Sequence, residues 1–167
     1  MVFMKKSARK PTEYVDDDVT PLKRILTLRF PPLILGLILG ISLSFITSKF
    51  EEVIAKNIAI AFFIPFIVYL ADAVGTQTQS IYIRDLRTGE ANFKKYLIKE
   101  SLLGLSIGLI FSLVSAVVIM VWFKSVELTL TVGLSIFIAV LVAPPIALSI
   151  TEIMSLNKRD PGPGLAQ

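Results

Sequence analysis

Four long apolar segments, separated by short charged stretches, dominate the pattern of hydrophobic and polar positions along the chain. They cover about residues 31–48, 58–83, 101–123 and 128–151. Each is close to or above the roughly 20 apolar residues that a helix needs to cross a bilayer. The pattern therefore predicts an all-α integral membrane fold with four transmembrane helices.

Two shorter amphipathic stretches accompany these spans. Residues 21–30 (PLKRILTLRF) predict an interfacial helix before the first span, and the linker 84–100 predicts an amphipathic helix between spans two and three. Residues 1–20 are polar and have no apolar core, which is typical of a cytoplasmic tail rather than a signal peptide. We divide the chain into this tail, a membrane domain over residues 21–160, and residues 161–167, a C-terminal tail or the start of a further helix.

The positions of Lys and Arg predict the orientation of the spans. Fourteen of these residues lie before the first span, in the linker 84–100 or after the fourth span, against three in the other two loops. Because cytoplasmic loops carry the excess of positive charge, we expect both termini on the cytoplasmic side of the cell membrane.

Composition limits the chemistry. The chain is 54% hydrophobic and has neither cysteine nor histidine. This excludes disulfides, thiolate or imidazole metal ligands, and Ser/His/Asp or Cys/His catalysis, so we predict no enzymatic activity and no catalytic residues. A metal ion bound here would take oxygen ligands, which suits Mg²⁺, Ca²⁺ or Mn²⁺. The net charge of +4 comes from basic residues that flank apolar segments, so we expect a lipid partner and no nucleic acid.

Asp72 is the only Asp, Glu, Lys or Arg within the four apolar segments. A charged side chain at bilayer depth costs roughly 2.5–3.5 kcal/mol and is usually functional. Oxygen-bearing residues and a glycine follow it, and the resulting candidate metal-binding set is Asp72, Gly75, Thr76, Gln77 and Gln79. The two glutamines lie about 200° apart on a helix, so at most one faces the same path as Asp72 unless the helix unwinds.

Other interpretations of Asp72 stay open at this stage. It could lie near the inner helix end, hydrated or paired with Arg84 or Arg87. In a proton-coupled small-solute carrier it would be a proton site, and in a membrane subunit that serves assembly only it would bind no ion. An intramembrane aspartyl protease is disfavoured, because it needs two carboxylates that share a proton.

Glycine and proline indicate how the spans pack. Two GxxxG pairs, Gly36–Gly40 and Gly104–Gly108, predict close contacts of the first and third spans with neighbouring helices. Pro65 and the Pro144–Pro145 pair predict interruptions in the second and fourth spans. The chain therefore suggests two similar hairpins, each with a glycine-bearing helix followed by a proline-broken one.

Several motifs resemble one known family. They are AFFIP at residues 61–65, DAVGTQ at 72–77, RDLRTGE at 84–90, Lys99–Glu100 leading to Gly104 and Gly108, and RFPP at 29–32. From residue 29 onward the chain resembles the membrane domain of MgtE-type magnesium channels and transporters. The resemblance implies a homodimer with a cation path at the subunit interface, lined by the second and fifth spans, that carries Mg²⁺ or other divalent cations.

The chain also departs from that family pattern. Asp72-Ala73-Val74 stands where the family usually has Gly-Gly-Asn, and about 30 residues precede the first span in place of the cytoplasmic sensor domains. The family's fifth span would begin near residues 160–167, where this sequence stops. We expect this sequence to be a fragment, or a partner to supply the last helix.

Overall fold

The computed structural model describes residues 18–156, which form five α-helices and no strand within that range. The helices are α1 (Leu22–Ser48), α2 (Glu51–Lys56), α3 (Ala59–Thr88), α4 (Phe93–Phe123) and α5 (Val126–Leu156). All except the short α2 are long and apolar enough to cross a membrane, which confirms the all-α membrane fold with four spans. The expectations for residues 1–17 and for the C-terminal segment 161–167 fall outside the described residues.

The spanning helices are longer than the apolar segments that predicted them. Residues 22–30 are the first turns of α1, so the interfacial helix and the first span form one continuous helix. The linker 84–100 is likewise shared between the end of α3 and the start of α4. A 30-residue helix such as α3 is about 45 Å long, whereas the hydrocarbon core is about 30 Å thick. The additional turns can therefore lie in the polar interfacial region.

Local sequence signals set the turn between α3 and α4. Gly89 follows α3 with φ of 74°, a left-handed conformation that glycine adopts without the steric cost of a Cβ. The side chain of Asn92 then accepts a hydrogen bond from the backbone N–H of Lys95, which caps the first turn of α4. The chain thus reverses direction within a few residues.

Helix α5 is the centre of the described bundle. It packs against α4 and also against α3, whereas α3 and α4 contact each other little. Four of its side chains form most of the buried core cluster, and they are Leu128, Val132, Ile136 and Val140. Val74 of α3 and Ile119 of α4 complete the cluster. The order of the packed helices is therefore α3, α5, α4.

The contact between α4 and α5 is closest at the two prolines of α5. Pro144 and Pro145 lie inside a continuous helix, but their missing N–H groups leave the carbonyls of Val140 and Leu141 without helical donors. A Cβ placed on Gly104 would lie 3.2 Å from both of these carbonyl oxygens and 3.1 Å from Pro144 Cγ. Glycine therefore lets α4 approach the freed carbonyls, and its α-hydrogen can make a weak C–H···O contact there.

The two GxxxG pairs differ in whether another helix of the described chain packs against them. A Cβ on Gly108 would lie 3.1 Å from the carbonyl oxygen of Phe137, so the predicted packing of the third span is confirmed. A Cβ on Gly36 or Gly40 would meet no atom of the described chain within 4 Å. The packing expected for the first span is thus not made within this part of the chain, and the two hairpins are not equivalent. The prolines also do not interrupt α3 or α5, because the helices continue through them.

The glycine contacts give a stability prediction. Gly104→Ala and Gly108→Ala force a methyl group against backbone of α5, so we expect each to lower the free energy of unfolding by about 1–3 kcal/mol. Thermal unfolding in detergent measures this effect. Gly36→Ala and Gly40→Ala are the matched controls and should not lower the melting temperature. Equal effects at all four glycines would contradict the packing described above.

Candidate functional site

Asp72 lies near the middle of α3. It is the fourteenth of the 30 residues of this helix, which runs from Ala59 to Thr88 without a break at Pro65 or Gly75. Arg84 lies 12 residues further along, a rise of about 18 Å, which is too far for a side-chain ion pair with Asp72. Arg87 lies one turn beyond Arg84. The carboxylate of Asp72 is therefore not paired with either of these arginines.

Because α3 is regular, its residues can be assigned to faces at about 100° per residue. Thr76 and Gln79 lie about 40° and 20° from the direction of Asp72. Asp72 is exposed, and both neighbours are partly exposed. These three residues therefore form one polar face of an otherwise apolar helix, which we call the Asp72 face.

The other two candidate residues lie elsewhere on α3. Gln77 is about 140° away from Asp72 and lines a cleft between α3 and α4 of about 320 Å³. The remaining residues that line this cleft are mostly apolar, and they are Tyr69, Leu70, Ala73, Val74, Ile107, Ile110 and Phe111. The structure thus separates the two glutamines as the helical period predicts, and Gln79 is the one that accompanies Asp72.

Gly75 has a packing role in this structure. It is buried, and a Cβ at this position would lie 3.8 Å from the Cβ atoms of both Ala143 and Ala147 of α5. The small residues bring α3 and α5 close together. Since the helix does not unwind here, the carbonyls around Gly75 stay within the helical hydrogen-bonding pattern.

A third face of α3 carries two hydroxyl groups that bind carboxylates. Thr78 donates a hydrogen bond of 2.7 Å to Glu100 of α4, and Tyr82 donates one of 2.7 Å to Glu152 of α5. The sequence interpretation named Glu100 only as part of a family motif and did not name Glu152, because both glutamates lie just outside the apolar segments. The spacing of Thr78 and Tyr82 by four residues, which places them on one helix face, was the available signal.

A separate polar group lies at the end of α3 that leads into the Gly89 turn. Arg84 Nε donates to Asp85 at 3.0 Å, and the Tyr96 hydroxyl of α4 donates to the same carboxylate. The rings of Tyr82 and Tyr96 meet edge to face with centroids 5.0 Å apart. These contacts join α3 to α4 beyond the Thr78 hydrogen bond.

Within residues 18–156, the acidic side chains of a single chain do not cluster into a metal site. No group of three or more Asp or Glu side chains that could hold a metal ion occurs among residues 18–156. The Asp72 face offers one carboxylate, one hydroxyl and one amide. This set suits a hard cation that keeps part of its water shell, because Mg²⁺ in proteins commonly has one or two carboxylate ligands and several waters.

Comparison with known proteins adds a family match. The family model MgtE, described as a divalent cation transporter, matches residues 64–164. A protein of Bacillus subtilis (strain 168) named magnesium transporter MgtE is 30% identical over 136 residues, which are 80% of this chain and 30% of that protein. A protein of the same name from Enterococcus faecalis (strain ATCC 700802 / V583) is 30% identical over 118 residues, 69% of this chain and 26% of the relative.

The chain spans less than a third of the length of these two relatives. No solved structure matches it. The family model begins at Ile64, within α3, and therefore includes the Asp72 face and both helices that contact α3.

The space around Gly75 gives a second stability prediction. Gly75→Ala places its Cβ at ordinary van der Waals distance from α5, so we expect a change in unfolding free energy of less than about 1 kcal/mol. Thermal unfolding in detergent, with Gly104→Ala as the destabilised reference, measures it. A loss as large as that of Gly104→Ala would contradict the α3–α5 contact described here.

Proposed function

Because this chain belongs to the MgtE family of divalent cation transporters, whose model matches residues 64–164, we propose that it carries divalent cations, principally Mg²⁺, across the cell membrane. The observation that supports this most directly is the Asp72 face. It presents a carboxylate with a hydroxyl and an amide halfway along a membrane-spanning helix. Both relatives are named magnesium transporters.

The proposed path lies between two copies of the chain. A homodimer with α3 near its two-fold axis would bring two Asp72 carboxylates towards one ion. Mg²⁺ dehydrates reluctantly and demands near-octahedral geometry. Two carboxylates would therefore attract the ion electrostatically, while the Thr76 hydroxyl and the Gln79 amide contact water molecules of its shell. Gln77 and Gly75 would act indirectly, through the α3–α4 cleft and the α3–α5 contact.

The proposed orientation has both chain termini in the cytoplasm. The distribution of Lys and Arg supports it. In this orientation the connection between α3 and α4, with Arg84 and the capped turn at Asn92, lies on the inner side. A cation that passes the Asp72 face would then leave towards the end of α3 that carries Thr78 and Tyr82.

The first test removes the charge of Asp72. Asp72→Asn keeps the size of the side chain, so we expect an intact, folded protein whose Mg²⁺ uptake into proteoliposomes falls about tenfold or more, equivalent to about 1.4 kcal/mol in the barrier. Glu90→Gln is a suitable control, since Glu90 is an exposed carboxylate outside the helices.

Two outcomes of this experiment would contradict the proposal. Unchanged uptake in Asp72→Asn would remove Asp72 from the path. Uptake of a small solute that follows a proton gradient, and not the Mg²⁺ gradient, would instead favour the proton-coupled carrier.

The second test measures ion binding. A site that binds Mg²⁺ in the folded state stabilises that state by mass action, by about 2.7 kcal/mol when free Mg²⁺ is about 100 times its Kd. We expect the melting temperature in detergent to rise with Mg²⁺ and to rise less in Asp72→Asn. Choline chloride at equal ionic strength is the control. An equal rise with choline would favour a subunit that serves assembly only.

A further inference from the structure

Two hydrogen bonds hold one face of α3 to two different helices. Thr78 and Tyr82 are 2% and 0% exposed, and their hydroxyls donate to Glu100 of α4 and Glu152 of α5, each over 2.7 Å. Hydrogen bonds to a charged carboxylate are stronger than those between neutral groups. A buried hydroxyl that lost its acceptor would keep the cost of its desolvation. These two bonds are therefore contacts that the bundle cannot lose without penalty.

Apolar side chains such as Phe63, Ile67 and Leu70 pack the first half of α3 against the core, whereas its contact with α5 at Gly75 is made by small residues. At the level of Gly75, the contact with α5 consists of a glycine against Ala143 and Ala147. Such a contact is close, but small residues form only shallow ridges that interlock little with the grooves of α5. On the side facing α4 there is a cleft instead of a packed surface. Beyond Gly75, the hydrogen bonds of Thr78 and Tyr82 therefore add directional contacts that define how α3 is turned. The bond from Tyr96 to Asp85 lies further along the same helix.

Thr78 and Tyr82 form what we call the hydroxyl face of α3. It lies on a different side of the helix from the Asp72 face. Thr78 lies about 120° from the direction of Asp72, and Tyr82 lies about 80° from it on the same side. A rotation of α3 that breaks the two hydrogen bonds must therefore also turn Asp72, Thr76 and Gln79 away from their present direction.

From these observations we infer that Glu100 and Glu152 are positioning residues that fix the rotation of α3 and so aim the Asp72 face. The inference rests on the proposed function for what that face does, but not for the geometry itself. Each glutamate acts through its hydroxyl partner and does not contact the transported ion.

Disulfide formation can measure the rotation directly, because the chain contains no cysteine. In Gly75→Cys/Ala143→Cys the two Cβ atoms would lie 3.8 Å apart, the mean separation in disulfides. The rate of cross-linking under mild oxidation reports how often α3 faces α5 as it does here. With the isosteric changes Thr78→Val and Tyr82→Phe added, we expect the rate to fall about 25-fold, which is about fivefold for each of the two hydrogen bonds that are lost.

A second pair of cysteines serves as the matched control. In Gly133→Cys/Ala116→Cys the Cβ atoms would also be 3.8 Å apart, but they join α4 to α5. This pair should cross-link at the same rate with and without Thr78→Val and Tyr82→Phe. Glu100→Gln and Glu152→Gln lose the charge but retain a carbonyl acceptor, so they should slow the Gly75–Ala143 pair less than the hydroxyl variants do. An unchanged rate for that pair in the hydroxyl variants, or an equal decrease for the control pair, would overturn the inference.

Uptake kinetics separate this inference from the proposed function. If Glu100 and Glu152 position the Asp72 face, Thr78→Val with Tyr82→Phe should raise KM for Mg²⁺ more than it lowers the maximal rate, and Glu100→Gln should raise KM by a smaller factor. Slower cross-linking without any effect of Asp72→Asn on uptake would keep the positioning role and reject the Asp72 path. If Asp72→Asn lowers uptake but cross-linking is unchanged, the Asp72 path is kept and the positioning role is rejected.

Discussion

The packing of this bundle depends on the carbonyl groups that Pro144 and Pro145 leave without helical donors. Lipid offers no hydrogen bond to a free carbonyl, so a neighbouring helix must cover it. Helix α4 does this at Gly104, where the absence of a side chain lets the two backbones approach. Because apolar side chains gain nothing by leaving lipid for protein, such close contacts supply much of the association between membrane helices. The close pairing of α4 with α5 follows from this arrangement.

Helix α3 is held in a different way. Phe63, Ile67 and Leu70 pack its first half against the core, small residues meet α5 at Gly75, and its contacts with α4 are few. Hydrogen bonds from Thr78 and Tyr82 to glutamates on α4 and α5 supply the directional contacts. The bundle thus combines one pair of helices locked by backbone proximity with a third helix that polar side chains orient.

This division separates the structural and the proposed functional faces of α3. One side carries hydroxyls bound to Glu100 and Glu152, and another carries Asp72 with a hydroxyl and an amide. A carboxylate at this depth costs free energy, and the fold does not offset that cost with Arg84, which binds Asp85 instead. A hydrated divalent cation between two copies of α3 would offset it, and the residues on the Asp72 face are those that can contact its water shell.

The helical class, the four spans and the position of Asp72 could be predicted from the residues alone, because segment length and hydropathy depend on local composition. The motifs also indicated the family that the comparisons then showed. The sequence did not determine which helix faces meet. Spanning helices are apolar on nearly every side, so hydropathy does not distinguish a buried face from one in lipid. The tertiary structure therefore decided that Gly104 and Gly108 pack while Gly36 and Gly40 do not, and that Gly75 contacts α5. It also decided that Glu100 and Glu152, which lie outside the apolar segments, bind hydroxyls of α3. Each of these depends on how helices distant in sequence are paired and rotated, which is a property of the assembled bundle.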